Sequence, residues 1–352
     1  MRLARFFEKS LYLLGIALLA FVLTCDGKST LVGSVEETGY QPNPVETARF
    51  LATLDKPMFA EAGADTIRDE KKDTFLYRAM NVAHRDRYGT PWSVGNQGGV
   101  GSCVGWGFSG AAYCSLAVAY EQGEIPDAPM LVSPTSVYSG SRVEARGKPE
   151  CTGGSNSDGS YGGAAAKWLT QWGLVFREDV LGHDLREYSV SRCKRWGKEG
   201  NGGCGDNHEL DEWAKKHPCG NVALVTTFDE AAAAIQSGYA VAVCSGVGFN
   251  SPRRNGLRLP SGRWSHCMFF AGVVYKGGEN NAPWDALLCV NSWGPKPTES
   301  PWPADQPDGT WWVERSACDE MLGKWKDSFA IGVADGFPYR DLSHTEWMSN
   351  DN

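Results

Sequence analysis

Residues 97–103, Gln-Gly-Gly-Val-Gly-Ser-Cys, constrain this chain more than any other stretch. A glutamine stands six residues before a cysteine, across a glycine-rich turn. Residues 104–120 that follow are small and apolar and carry no charge. Such a run predicts a buried helix with the Cys103 thiol at its N-terminal end. A helix N-terminus favours an anion, so a thiol placed there ionises more readily, and the thiolate is the nucleophile. Glycines in the loop let backbone N–H groups and the Gln97 amide crowd close to it. A nucleophile with oxyanion donors is the equipment of acyl transfer. The competing reading is an ordinary core cysteine beside Trp106 and Phe108, since buried cysteine is common.

A cysteine nucleophile needs a base, and the base needs an orienting group. Of the six histidines, His84, His183, His208, His217 and His344 sit among polar or charged residues. Only His266 heads an apolar run, residues 267–275, which reads as a buried strand. A second apolar run, residues 286–290, ends in Asn291-Ser292-Trp293-Gly294. An asparagine at the end of a buried strand is costly unless its amide is bonded. Its carbonyl can accept from the imidazole and fix the ring's tautomer, with Trp293 covering the pair.

With these four residues in order, Gln97, Cys103, His266 and Asn291, the chain resembles the papain-like cysteine peptidases, as a divergent and bacterial-looking member. The glutamine-to-cysteine spacing and the Asn-Ser-Trp-Gly after a hydrophobic strand are the family's. Asp158-Gly159-Ser160-Tyr161, followed by residues 168–174, is similar to the family's substrate-binding glycine strand and the helix after it. The likeness runs over residues 78–339. It implies an α+β fold of two lobes: a helical lobe (about 78–220) carrying Cys103, and an antiparallel β lobe (about 221–340) carrying His266 and Asn291. Strands are expected at 240–244, 267–275, 286–291 and 310–314, with the active site in the cleft between lobes.

The resemblance also implies a mechanism. Cys103 attacks a peptide carbonyl, its own N–H and the Gln97 amide stabilise the oxyanion, His266 acts as acid and base, and Asn291 orients His266. An extended polypeptide substrate pairs with backbone at Gly159 and Ser160. Tyr161 and Trp264 line the pocket for a substrate side chain, and Trp293 covers the histidine. No metal or other cofactor is implied, and a monomer is expected. Departures from the family's pattern are visible. Val100 and Ser157 replace the two halves of a usual disulfide, and Val104 replaces a tryptophan. Ser160 replaces a glycine, and its side chain is expected to narrow the cleft. Of the remaining cysteines, Cys151 with Cys193 falls near positions the family bridges, and Cys204 with Cys219 is a second candidate pair. Cys114, Cys244, Cys267 and Cys289 lie in apolar runs and read as core thiols.

At the amino terminus, Arg2, Arg5 and Lys9 precede an apolar run at residues 11–23. That run is short for a spanning helix and suits an export signal (residues 1–25). It ends at Thr24-Cys25, which looks like a bacterial lipoprotein box with Cys25 as lipid acceptor. The protein is therefore expected to be exported, anchored to a membrane or secreted. Eleven cysteines suit an oxidising compartment. Residues 26–77 read as a tether or short pro-segment, with short helices at 46–55 and 65–80, and residues 341–352 as a tail. The net charge of −8 comes with no basic stripe, which argues against nucleic acid. Residues 193–223 form a charged, glycine-rich insertion with a short helix through Leu210, Trp213 and Ala214. It reads as a surface excursion, a zinc site (Cys204, His208, His217, Cys219) or a loop closing one end of the cleft. Two rivals to hydrolysis stand: a non-catalytic binding protein on the same fold, and an acyl-transfer enzyme using the same thioester.

Overall fold

The computed structural model describes residues 39–64, 71–146, 158–202, 209–250, 256–332 and 336–342. The expected signal, Cys25, Ser157, Cys151, Cys204, His208 and residues 343–352 lie outside these segments. Among the described residues no helix is long and apolar enough to cross a membrane.

The helical part is built around α4 (Cys103–Glu121). Its small apolar residues bury nearly every side, with Val104, Phe108, Ala111, Cys114 and Val118 all fully enclosed. Against it pack α3 (Leu76–Tyr88), α5 (Pro134–Arg142) and α6 (Gly162–Gln171); α7 (Val190–Glu199) packs on α5, and α8 (Glu209–Ala214) follows in the chain. Local chemistry fixes where these begin. Ser133 caps α5 by accepting from the Ser136 N–H at 3.3 Å, with Pro134 in the first turn, where a missing N–H costs nothing. In α8, Leu210 and Ala214 are buried and Trp213 packs on the core, as their helical spacing predicts.

The other lobe is an antiparallel sheet. Its strands are β4 (Val222–Leu224), β5 (Val241–Phe249), β6 (Pro260–Val274), β7 (Ala286–Val290), β8 (Thr310–Glu314) and β9 (Phe329–Ile331), ordered β4-β9-β5-β6-β7-β8. Helices α9 (Phe228–Gln236) and α10 (Arg315–Trp325) pack on it. Strand β6 starts seven residues before the apolar run that predicted it. Its exposed first half continues the ladder with a lengthened β5, pairing Arg263 with Val247 and Pro260 with Phe249. The register sets Ser245 opposite His266 and Cys244 opposite Cys267.

The segment expected as a tether or pro-segment is folded onto this body from Gly39 onward. Helix α1 (Pro44–Leu51) is capped by Asn43, whose side chain accepts from the Glu46 N–H at 3.3 Å. Its Phe50 packs against Phe329 of β9 at 6.2 Å between ring centroids. Phe59 in α2 (Phe59–Ala62) meets Phe337 edge-on at 5.3 Å. Thr74 and Phe75 form β1, a short strand on β6, and a separate two-stranded ladder pairs β2 (Asp179–Val180) with β3 (His183–Asp184). Of the helix expected over 65–80, residues 65–70 lie outside the described segments, residues 71–75 are not helical, and helix α3 starts at Leu76.

Candidate active site

Cys103 is the first residue of α4, follows Ser102 and is fully buried. It lies beside Cys267, the residue after His266, where the helix packs on β6. The loop before it is pinned from several sides. The Gln97 side chain donates from Nε2 to the Val100 carbonyl at 3.0 Å and accepts from the Ser292 hydroxyl at 2.7 Å. The Gln97 N–H donates to the Ser292 carbonyl at 2.8 Å. Thus the loop that carries the glutamine is bolted to the residue following Asn291.

His266 sits in β6 and is 1% exposed. Its Nε2 lies 2.7 Å from Asn291 Oδ1. A carbonyl oxygen only accepts, so the hydrogen belongs on Nε2 and Nδ1 is left as the lone-pair nitrogen. Nδ1 has no hydrogen-bond partner, the Cys103 thiol included. Trp293 stacks on the imidazole at 4.8 Å and 28°, and Trp264 packs on Trp293 at 4.8 Å. Burial pushes the Cys103 thiol well up and holds His266 down to about 4, the Asn291 bond pulling the other way. In this state both groups are neutral near pH 7.

That depression has a consequence for stability. An unfolded histidine titrates near 6.5, so between pH 6.5 and 4 the unfolded chain holds a proton that the folded chain does not. The contribution of His266 is complete above pH 6.5 and is lost as pH falls toward 4. We predict that a His266→Phe variant loses less stability than the parent between pH 7 and pH 4.5, by about 2 kcal/mol. Urea denaturation at the two pH values checks this, and equal losses in both proteins would refute it. Other titrating groups act in both proteins and cancel in the difference.

The expected substrate strand is also placed. Asp158 joins it to the nucleophile loop: its carboxylate accepts from the Gly101 N–H at 2.6 Å, from the Gly159 N–H at 2.8 Å and from the Tyr138 hydroxyl. Burial alone would raise the Asp158 pKa, and these donors bring it below the usual value. Ser160 departs from expectation. Its hydroxyl donates to Ser141 of α5 at 2.7 Å, so its side chain turns into the helical lobe rather than narrowing the cleft. Tyr161 is buried, with the Arg146 guanidinium over its ring. Cys193 and Cys219 are buried free thiols, Cys219 with its sulfur 3.8 Å from the Gly332 carbonyl; their expected bridge partners lie outside the described residues. Cys114, Cys244, Cys267 and Cys289 are buried free thiols, as their apolar surroundings predict. Among the described residues no cluster suits a metal.

Between the two lobes runs a piece of the chain's own amino-terminal segment. Gly39 and Gln41 pair with Ser160 in parallel: the Ser160 N–H donates to the Gly39 carbonyl at 2.9 Å, and the Gln41 N–H donates to the Ser160 carbonyl at 2.8 Å. On the other side, the Tyr40 N–H donates to the carbonyl of Ser265, next to His266, at 2.9 Å. The Gln41 amide also donates to the Asp158 carbonyl. Gly39 has φ +108°, and a Cβ there would run into the backbone of Gly101. The Tyr40 ring is buried, near Asp327, Cys244 and Cys267. Sequence reading missed both Tyr40 and Asp327, because each acts through contacts far along the chain.

No protein-family model matches this chain, and no curated protein is similar to it in sequence. Solved structures are similar in fold. Xylellain, a cysteine protease from Xylella fastidiosa, superposes with a TM-score of 0.50 at 15% identity, over 88% of this chain and 96% of that one. Digestive procathepsin L2 from Tenebrio molitor larval midgut gives 0.47 at 15% identity, over 85% and 78%. The proform of the ragweed pollen cysteine protease Amb a 11 gives 0.46 at 15%, over 85% and 77%. The fold is α+β and papain-like, with a helical lobe and an antiparallel β lobe.

Proposed function

We propose that this protein is a cysteine peptidase, held latent in the described state by residues 39–41. The observation that carries the reading is the His266–Asn291 pair, which leaves Nδ1 as a bare base in a buried site where β6 packs on the helix that Cys103 heads. In the working site, Nδ1 takes the thiol proton and the thiolate attacks a peptide carbonyl. The oxyanion is stabilised by the Cys103 N–H and the Gln97 amide. The C–N bond breaks as His266 returns the proton to the leaving amine, and water then hydrolyses the thioester.

Latency follows from occupancy. Residues 39–41 take up the backbone groups of Ser160 and Ser265 that an extended polypeptide substrate would use. They also keep water from the thiol and the imidazole, and that dryness keeps the pair neutral. Releasing the segment admits water and lets a thiolate–imidazolium pair form.

An epoxide that alkylates activated thiols tests the reading, with peptide mapping by mass spectrometry. Stoichiometric labelling at Cys103 is expected once residues 39–41 are displaced, and loss of it in His266→Ala. A displaced-segment protein that stays folded and is never labelled would leave a non-catalytic binding protein as the better account.

A further inference from the structure

Tyr188 stands between β3 and α7, and its hydroxyl reaches the glycine-rich loop at both ends. It donates to the Gln97 carbonyl at 3.0 Å and lies 2.8 Å from the Ser102 hydroxyl. A phenol has one hydrogen to give, and a carbonyl oxygen only accepts. That hydrogen is therefore committed to Gln97, and Ser102 is the donor to Tyr188. Trp106 of α4 sets the ring, meeting it edge-on at 4.9 Å between centroids. Ser102 is the residue before α4, where a serine ordinarily accepts from an N–H of the first turn. Here its side chain makes no such bond. The hydroxyl is turned to Tyr188 instead, so the helix end that carries the thiol has no side-chain cap. The thioester route gives the phenol no step of its own.

Resting on the peptidase reading, we propose that Tyr188 is a positioning residue: its hydroxyl sets the separation of the two oxyanion donors, the Gln97 amide and the Cys103 N–H. These donors sit at opposite ends of one loop, and Gly98, Gly99 and Gly101 give that loop little stiffness of its own. Ser292 holds the Gln97 end from the β lobe, and Asp158 holds Gly101. Tyr188 ties the Gln97 peptide directly to Ser102, whose peptide bond with the next residue carries the Cys103 N–H. A misplacement of about 1 Å at such a site can cost about a hundredfold in rate. Two other functions are independent of the tie. The backbone pairing at Ser160 and Ser265 does not touch Tyr188, and His266 is oriented by Asn291. Phenylalanine at 188 would keep the ring against Trp106 and delete the tie alone.

Tyr188→Phe tests this in the full-length Gly39→Val chain, with thermal melting showing that the variant is folded. On a fluorogenic peptide, kcat is expected to fall about 10-fold to 100-fold, with KM changed by less than about twofold. Affinity for a peptide aldehyde, which adds the thiol to form a tetrahedral oxyanion, should fall by a similar factor. Alkylation of Cys103 by the epoxide needs the thiolate and no oxyanion donors, so its rate should hold. Ser102→Ala removes the other half of the tie and should give the same pattern with a smaller loss. Tyr188→Phe should also cost less in a Gln97→Ala chain than in its parent, because the two residues serve one function. Unchanged turnover and aldehyde affinity in folded Tyr188→Phe would overturn the proposal. So would turnover and alkylation falling together, which would mark the phenol as a merely structural support. Failure of Cys103 labelling in the Gly39→Val chain that keeps Tyr188 would instead count against the peptidase reading itself.

Discussion

In a chain opened by Gly39→Val, Cys103→Ala is expected to lower kcat/KM on a peptide reporter by about four orders of magnitude or more, and His266→Ala by nearly as much. Both losses are chemical in origin. Without the sulfur no thioester forms, and without the imidazole neither thiol activation nor amine protonation has a base or acid within reach. The two losses should not add, since both residues serve one step. A double variant should therefore be about as slow as the worse single one. Initial rates on a fluorogenic peptide measure all three. Full activity in Cys103→Ala would remove this thiol from the mechanism and overturn the thioester route.

Gly39→Val itself is expected to raise the peptide-cleaving rate of the full-length protein by about 10-fold to 100-fold. Any side chain at position 39 must enter the Gly101 backbone, and the left-handed φ adds strain for a β-branched residue. Ejecting the segment forfeits its three backbone hydrogen bonds to Ser160 and Ser265 and the burial of one tyrosine, together a few kcal/mol. Rates of cleavage and of Cys103 alkylation should rise in parallel, because both need the same opening. Unchanged rates in a folded Gly39→Val protein would show that residues 39–41 do not limit access.

The four strands behind the site, and the helix headed by Cys103, were legible as apolar runs, although β5 and β6 extend beyond theirs through exposed or irregular ladder positions that carry no such pattern. His266 and Asn291 could be paired for a related reason: polar groups at the ends of buried strands need partners. Tyr40 left no such trace. It is one aromatic residue in a polar stretch rich in glycine and proline, which reads as a tether, and its burial depends on Ser160 and Ser265 far away in sequence. Asp327 follows Lys324, Trp325 and Lys326, a setting that suggests a solvated turn. Only folding brings the first turn of α6 against it. Ser160 was misjudged because its partner, Ser141, is on a different helix and could not be anticipated from local pattern.

The occupying residues are joined to the anchored helix α1 by only Pro42 and Asn43. A ligand on so short and stiff a leash meets its site at an effective concentration of millimolar or above. Cutting the chain ahead of Gly39 would therefore not lower that concentration, because the tether lies on the other side. Incoming polypeptides compete with an intramolecular rival, and their apparent affinity is reduced by the fraction of time the cleft stands empty. The linker at Pro42 and Asn43 thus works as a threshold. On the peptidase reading, dilute substrate would meet a mostly closed cleft, and a well-matched or locally concentrated one would open it reversibly, with no covalent step.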